Sequence, residues 1–354
     1  MTKTKKKINR QTRSNIITYG IVILAYIIVQ TMINTGSISS LMEGLMVPLC
    51  IYAILAVSLN LVVGILGELS LGHAGFMCVG AFASAFFSKC MRGEMESDGL
   101  RFFLALLIGV AAAAVFGLLI GIPVLRLKGD YLAIVTLAFG EIIKNLVNVL
   151  YIGKDSSGFH ISTQDVMTLD ADGTMIISGP QGITGTPRDA TFLIGIILVL
   201  ITLFIVTNLT NSRSGRAIMS IRDNRIAAES IGINVTKYKL MAFTVSAALA
   251  GSAGVLYAHN LSTLTATTNN FGYNQSIMIL VFVVLGGIGN IRGSVIAAVI
   301  LTLLPELLRG LSDYRMLIYA IVLIVMMLFN WAPKAIEWRE KYLSFGRKKK
   351  EAVK

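Results

Sequence analysis

Apolar residues along this chain gather into long runs rather than alternating with polar ones. The runs cover 16–33, 45–66, 71–88, 102–125, 131–151, 192–209, 240–258, 275–288, 294–308 and 316–329. Several approach the roughly 20 residues a helix needs to cross a bilayer of about 30 Å, and two or three are short. Inside hydrocarbon the backbone must satisfy its own hydrogen bonds, so apolar runs of this length are expected as helices. The pattern predicts an all-α integral membrane protein, a polytopic bundle of about 8–10 transmembrane helices.

Two runs are broken by glycine. In the first, Gly64, Gly67, Gly72 and Gly75 surround the polar residues Glu68, Ser70 and His73. In the second, Gly286, Gly287, Gly289 and Gly293 surround Asn290 and Arg292. Laid with Gly67 on Gly289, the stretches resemble each other, and a small-residue helix follows each. Paired Gly-interrupted segments suggest an internal repeat whose half-helices leave backbone groups free to line a pathway. Gly67, Glu68, Ser70, Gly72, His73, Gly75, Gly286, Gly287, Gly289 and Asn290 are therefore the candidate pathway residues. Close helix packing through small residues is the other reading of the same pattern.

The largest polar interruption within the second half is the island at 211–239, with Arg213, Arg216, Arg222, Arg225, Lys237 and Lys239 against Asp223 and Glu229. One charge at the bilayer centre costs about 2.5–3.5 kcal/mol, so this stretch lies in water beside the membrane. Ser212 or Ser214 is placed to cap a helix ending near Arg222, Asp223 and Asn224 form a turn, and a second helix from Arg225 to Ile231 stops at Gly232. Ile218 and Ile221 share one face of the first, and Arg225 and Glu229 are an i,i+4 pair in the second. Capped helices suit a docking element better than a solvated connector. The other long interruption, 153–190, is polar, acidic and Gly/Pro-rich without helical pattern, and is expected to be a loop outside the lipid.

Composition agrees with this class: 55% of residues are hydrophobic, 14% are charged, and the mean hydropathy is +0.74. The net charge of +12 does not point to nucleic acid, because the basic residues concentrate in the tails at 1–15 and 333–354 and in the island. The positive-inside rule puts those segments together on the cytoplasmic side, with 153–190 outside and 16–332 as the transmembrane domain. The N-terminal apolar run lacks the short core and cleavage site of a secretory signal and is expected to be retained. Cys50, Cys78 and Cys90 have no CxxC spacing and are expected to pack as small apolar residues.

Enzyme and metal signatures are missing from the sequence: there is no HExxH, GxSxG or Cys/His cluster. A Walker A pattern is missing too, so ATP used in transport is expected on another chain. Glu68, Asp130, Glu141, Lys144 and Glu306 are the ionisable residues in or near apolar runs. Glu141 and Lys144, one helical turn apart, are expected to pair with each other. An unpaired Glu68 at mid-membrane depth would instead suit an ion-coupled secondary transporter.

LNLVVGILGELSLGHAGFMCVGAFASA (59–85), LRLKGDYLAIVTLAFGEIIKN (125–145), SGPQGI (178–183), the stretch 214–258 and VVLGGIGNIRGSVIAA (283–298) together resemble the permease subunits of branched-chain amino-acid ABC transporters, of the LivM type. The resemblance covers roughly 45–330 in order. It implies a non-enzymatic permease of a bacterial inner (plasma) membrane that translocates Leu, Ile and Val and binds no cofactor itself. Its implied partners are a second homologous permease in a heterodimer, two cytoplasmic ATP-binding subunits carrying ATP-Mg, and an extracytoplasmic amino-acid-binding protein. The island would be the coupling loop, with Arg216, Arg222, Asp223, Asn224, Ala227, Ala228, Glu229 and Gly232 as contacts. Its Ala227–Gly232 segment resembles a diverged EAA loop lacking the Ile-x-Leu-Pro ending. Related importers of urea, amides or other small polar solutes share these motifs, which leaves the solute open.

Overall fold

A computed structural model describes residues 10–37, 39–92, 94–95, 97–127, 129–155, 158–163, 173–311 and 314–331. Most of the basic N-terminal tail, the C-terminal tail at 333–354, and Asp165, Asp170 and Asp172 lie outside the described residues. Every apolar run is a helix. In chain order they are α1 (Arg10–Asn34), α2 (Ser40–Asn60), which continues as a π-helix over Leu61–Leu66, α3 (His73–Cys90), α4 (Asp98–Val124), α5 (Asp130–Val149) and α6 (Phe192–Asn211). The island forms α7 (Arg213–Asp223) and α8 (Arg225–Ser230), followed by α9 (Val235–Asn260), α10 (Thr268–Phe271), α11 (Tyr273–Gly286), α12 (Ile291–Leu307) and α13 (Arg315–Trp331).

Among the described residues, five segments are long and apolar enough to cross a membrane by length and composition: Ser40–Leu66, Asp98–Val124, Asp130–Val149, Phe192–Asn211 and Val235–Asn260. α11 and α12, of 14 and 17 residues, flank the second glycine break, which is why they fall below that length, and the 18-residue α3 follows the first break. This is an all-α polytopic membrane bundle.

The stretch at 153–190 departs from the expected loop. Strand β1 (Tyr151–Asp155) pairs antiparallel with both β2 (Gly158–Ser162) and β3 (Thr174–Ser178), and β4 (Ile183–Thr184) pairs with β5 (Thr263–Leu264). Strands of five residues and fewer are too short to show a period in sequence. The Lys89 ammonium, in the last turn of α3, donates to the carbonyls of Met175 (2.6 Å) and Ile176 (3.3 Å) and fastens the sheet to the bundle. Beside it, Arg101 of α4 is buried between Asp98 (2.8 Å) and Asp189 (3.0 Å). The chain thus has a sheet end and an island end.

Helix α2 is the hub: 83% of its spanning window lies inside the protein, against 22% for α4. Next to it, α9 meets α3 and α4 at backbone distance. Gly80 faces Gly251, Gly109 faces the Gly80 carbonyl, Gly254 faces the Met77 carbonyl, and a Cβ at any of them would collide. Phe76 fills the remaining space, with its ring centroid 5.1 Å from Phe139 and 5.5 Å from Phe243. Such small-residue seams are how membrane helices associate when burial of apolar surface offers no drive. Leu107, Leu118 and Leu119 of α4 and Ile197, Ile201 and Phe204 of α6 point outward, as lipid-facing residues should.

Candidate functional site

The first glycine break begins where α2 widens into the π-helix, a rare form often found at functional sites. The amides of Gly67 and Glu68 both close back onto the Val62 carbonyl, and Gly67 ends the turn in the left-handed region at φ 81°. Gly289 in the second break has φ 80°. A side chain with Cβ is strained there, so each break needs its glycine.

The two breaks touch. A Cβ on Gly64 would collide with the backbone of Gly289. Asn60, wholly buried, joins them: its Oδ1 accepts from the Gly289 amide (2.9 Å) and its Nδ2 donates to Ser294 Oγ (2.9 Å). Gly286 lies against the Gly293 backbone, Gly287 has φ 93°, and the exposed Asn290 caps α12 through the Gly293 amide (3.3 Å).

Glu68 is not a lone carboxylate. It pairs with Lys239 in the second turn of α9, and the Lys239 side chain is 6% exposed and that of Glu68 15%. Removing one partner of a buried pair leaves the other charge stranded, at about 3–5 kcal/mol. That finding removes the basis for an ion-coupled reading, which required Glu68 unpaired.

Beyond Glu68 the chain is closed down by contacts. Ser70 is buried, and its hydroxyl has no partner among the described residues. The Leu71 amide donates to Thr136 Oγ1 (3.0 Å), Gly72 presses on the Thr136 carbonyl, and Gly75 lies against Gly140 of α5. His73 bonds Ser58 Oγ (2.7 Å) within the core, and the Ala74 amide donates to Ser276 Oγ (3.1 Å) of α11. The N-terminus of α3 is therefore occupied by protein groups in this conformation.

The island folds as the sequence leads one to expect. Ser212 caps α7 through the Gly215 amide (3.0 Å), and Asn224 caps α8 through the Ala227 amide (3.0 Å). Arg225 and Glu229 pair at 3.1 Å. Ile221, Ala228 and Val235 form a small core of the island's own, while Ile218 reaches the main core. Arg216, Asp223, Asn224, Ala227, Glu229 and Gly232 are exposed, whereas Ala228 is buried and presents no surface to a partner. The most exposed apolar side chains here are Ile226 (79%) and Ile231 (74%), which the residue pattern alone did not single out.

Arg222 turns inward toward the first break. Its Nη1 donates to the Gly64 carbonyl (3.0 Å), and its methylene stem lies over Gly67, where a Cβ would sit 2.5 Å from its Cγ. Asp223 holds the guanidinium through Nε (3.1 Å) and Nη2 (3.0 Å). Island, π-helix and second break thus form one connected site. Elsewhere Glu141 and Lys144 form the expected pair, Glu141 also accepts from the Tyr273 amide at the start of α11 (2.8 Å), and Glu306 pairs with Arg309 (3.0 Å). A cavity of about 700 Å³, lined in part by Tyr26, Gln30, Glu43, Phe192 and Asn260, opens at the sheet end, away from both breaks.

Known proteins resemble this chain in sequence. Residues 41–329 match the family described as branched-chain amino acid transport system, permease component. The chain is 36% identical over 297 residues to the high-affinity branched-chain amino acid transport system permease protein LivM of Salmonella typhimurium, covering 81% of this chain and 67% of that protein. The LivM of Escherichia coli K12 matches at the same identity and coverage. The fructose import permease protein FruG of Bifidobacterium longum is 23% identical, over 93% of this chain and 94% of its own length. No solved structure matches the chain significantly. With a helical membrane bundle, a π-helical break at its hub and a family match over most of its length, the chain belongs to the permease components of branched-chain amino acid transport systems.

Proposed function

We propose that this chain is the membrane permease of an ATP-driven importer for leucine, isoleucine and valine, working by alternating access in a bacterial inner membrane with both termini in the cytoplasm. A second homologous permease completes the membrane unit, two ATP-binding subunits supply hydrolysis with ATP-Mg, and an extracytoplasmic binding protein delivers the amino acid at the sheet end. The chain itself binds no cofactor and carries no catalytic residue. The observation that carries this reading is the folded island, whose Ile226 and Ile231 stand out in water among Arg216, Arg225 and Glu229. Exposed isoleucines rimmed by charge suit a protein groove rather than solvent. The identity to the LivM proteins supports the solute class.

A second reading keeps the machine and changes the solute. The fructose permease aligns over nearly the whole chain, and a ribose import permease protein, RbsC of Escherichia coli K12, is 28% identical over 233 residues. The test is uptake of radiolabelled leucine, isoleucine, valine, fructose and ribose into liposomes holding the chain with its co-purified subunits. ATP-dependent entry of the three amino acids supports the proposal. Entry of a sugar alone favours the second reading, and entry without ATP overturns both.

A further inference from the structure

The island holds the first glycine break at two points, the end of α7 and the start of α9. From the end of α7, Arg222 reaches the Gly64 carbonyl and lays its stem across Gly67. From the start of α9, Lys239 pairs with Glu68, the residue after Gly67. A turn only two residues long is thus gripped on one side by a guanidinium and on the other by an ammonium. Ile221, Ala228 and Val235 pack together and tie α7, α8 and the start of α9 to one another. The segment that leads into this turn meets the second break, through Gly64 on the Gly289 backbone and through the Asn60 side chain.

We infer that Arg222, with the Glu68–Lys239 pair, is the joint by which displacement of the island is transmitted to the Gly64–Gly289 contact, parting the two breaks and opening the island end of the pathway. This rests on the permease reading above. The chemistry of the grip suits the task. A carbonyl held by a guanidinium is directional and charge-assisted, and the same guanidinium also donates to the exposed Asp223. A π-helix suits the task, since this rare form occurs mostly as a single turn and frequently at functional sites. The partners of the grip are separated by 158 residues in one case and 171 in the other, so it is a tertiary device rather than local capping. Arg222 and Lys239 act as positioning residues; neither needs to meet the solute.

The test uses the complete transporter, purified with its own subunits and reconstituted, and reads solute moved per ATP hydrolysed together with subunit recovery. Arg222→Met keeps the stem over Gly67 and removes the donor. The expected result is a complex that assembles and whose transport ratio falls about ten-fold, the scale for loss of one coupling contact. Arg222→Lys, which restores one donor, should recover part of the loss. Because Arg222→Met could disturb folding, Glu68→Lys combined with Lys239→Glu provides a second route: each single change should lower the ratio, and the reversed pair should raise it again. An unchanged ratio in Arg222→Met overturns the inference, and so does loss of the ATP-binding subunits from the complex, which would make Arg222 a docking contact only. If the unmodified complex shows no ATP-dependent uptake, the permease reading fails first and is recognised as such before any substitution is compared.

Discussion

Replacing Asn60 by alanine should unfasten the two glycine breaks without disturbing either helix. Asn60 is completely buried and makes two bonds across the contact, each 2.9 Å long. In a water-soluble core, leaving two buried groups unsatisfied would cost about 2–6 kcal/mol. Between membrane helices such bonds average only about 0.6 kcal/mol and reach about 1.7, because freed groups find other partners. The smaller scale applies here, since Ser294 keeps its bond to the Asn290 carbonyl (3.3 Å). Two bonds then come to about 1–3 kcal/mol, or about a 5- to 150-fold shift from joined to parted breaks. A cysteine at Ser70, 1% exposed beside the gripped turn, reports the shift through its rate of reaction with a membrane-impermeant maleimide. Asn60→Ala should raise that rate by the same factor, while Gly44→Ala, at a position with nothing within 4 Å of an added Cβ, should not. An unchanged rate in a folded Asn60→Ala protein would refute the idea that Asn60 holds the breaks together.

Other consequences are as direct. Changing Ile226 and Ile231 together to aspartate should leave the chain's own melting within about 0.5 kcal/mol, as surface changes usually do, yet lower recovery of the ATP-binding subunits in affinity purification. Gly182 has φ 67° and lies on the Leu264 carbonyl, so Gly182→Ala should cost upwards of about 1 kcal/mol, part β4 from β5 and speed proteolysis within 153–190. Arg101→Met strands Asp189, whose side chain is 18% exposed. A loss of about 2–3 kcal/mol is expected, below the range for a fully buried pair, and Asp189→Asn in the same chain should restore much of the melting temperature.

The parts of this architecture legible in the sequence are those set by near neighbours. Helix extents, the Ser212 cap and the pairs Arg225–Glu229 and Glu141–Lys144 all follow from spacings of three or four residues, at which the helix itself brings side chains together. The glycine breaks were visible, but their contact was not. Nothing local says that Asn60 meets Gly289, or that Lys239, which reads as one more charge of a solvated island, is buried against Glu68. Two unmatched charges of opposite sign, one in each segment, were the available clue. Ala228 illustrates the reverse error: beside Ala227 in a motif-like run it looks equally available, yet helical phase turns one alanine outward and the other into the island's core.

The glycine seam joining α3, α4 and α9 sets a mechanical limit on everything else. Helices in contact through Gly80, Gly109, Gly251 and Gly254 have no slack between their backbones, and a sliding movement would drive side chains into carbonyls. These three helices are locked together like a keel. A solute the size of an amino acid finds no passage along that seam. The movement inferred at the π-helix and its glycine turn lies where this keel ends, and rigidity in one part of the bundle is then the condition for movement in another.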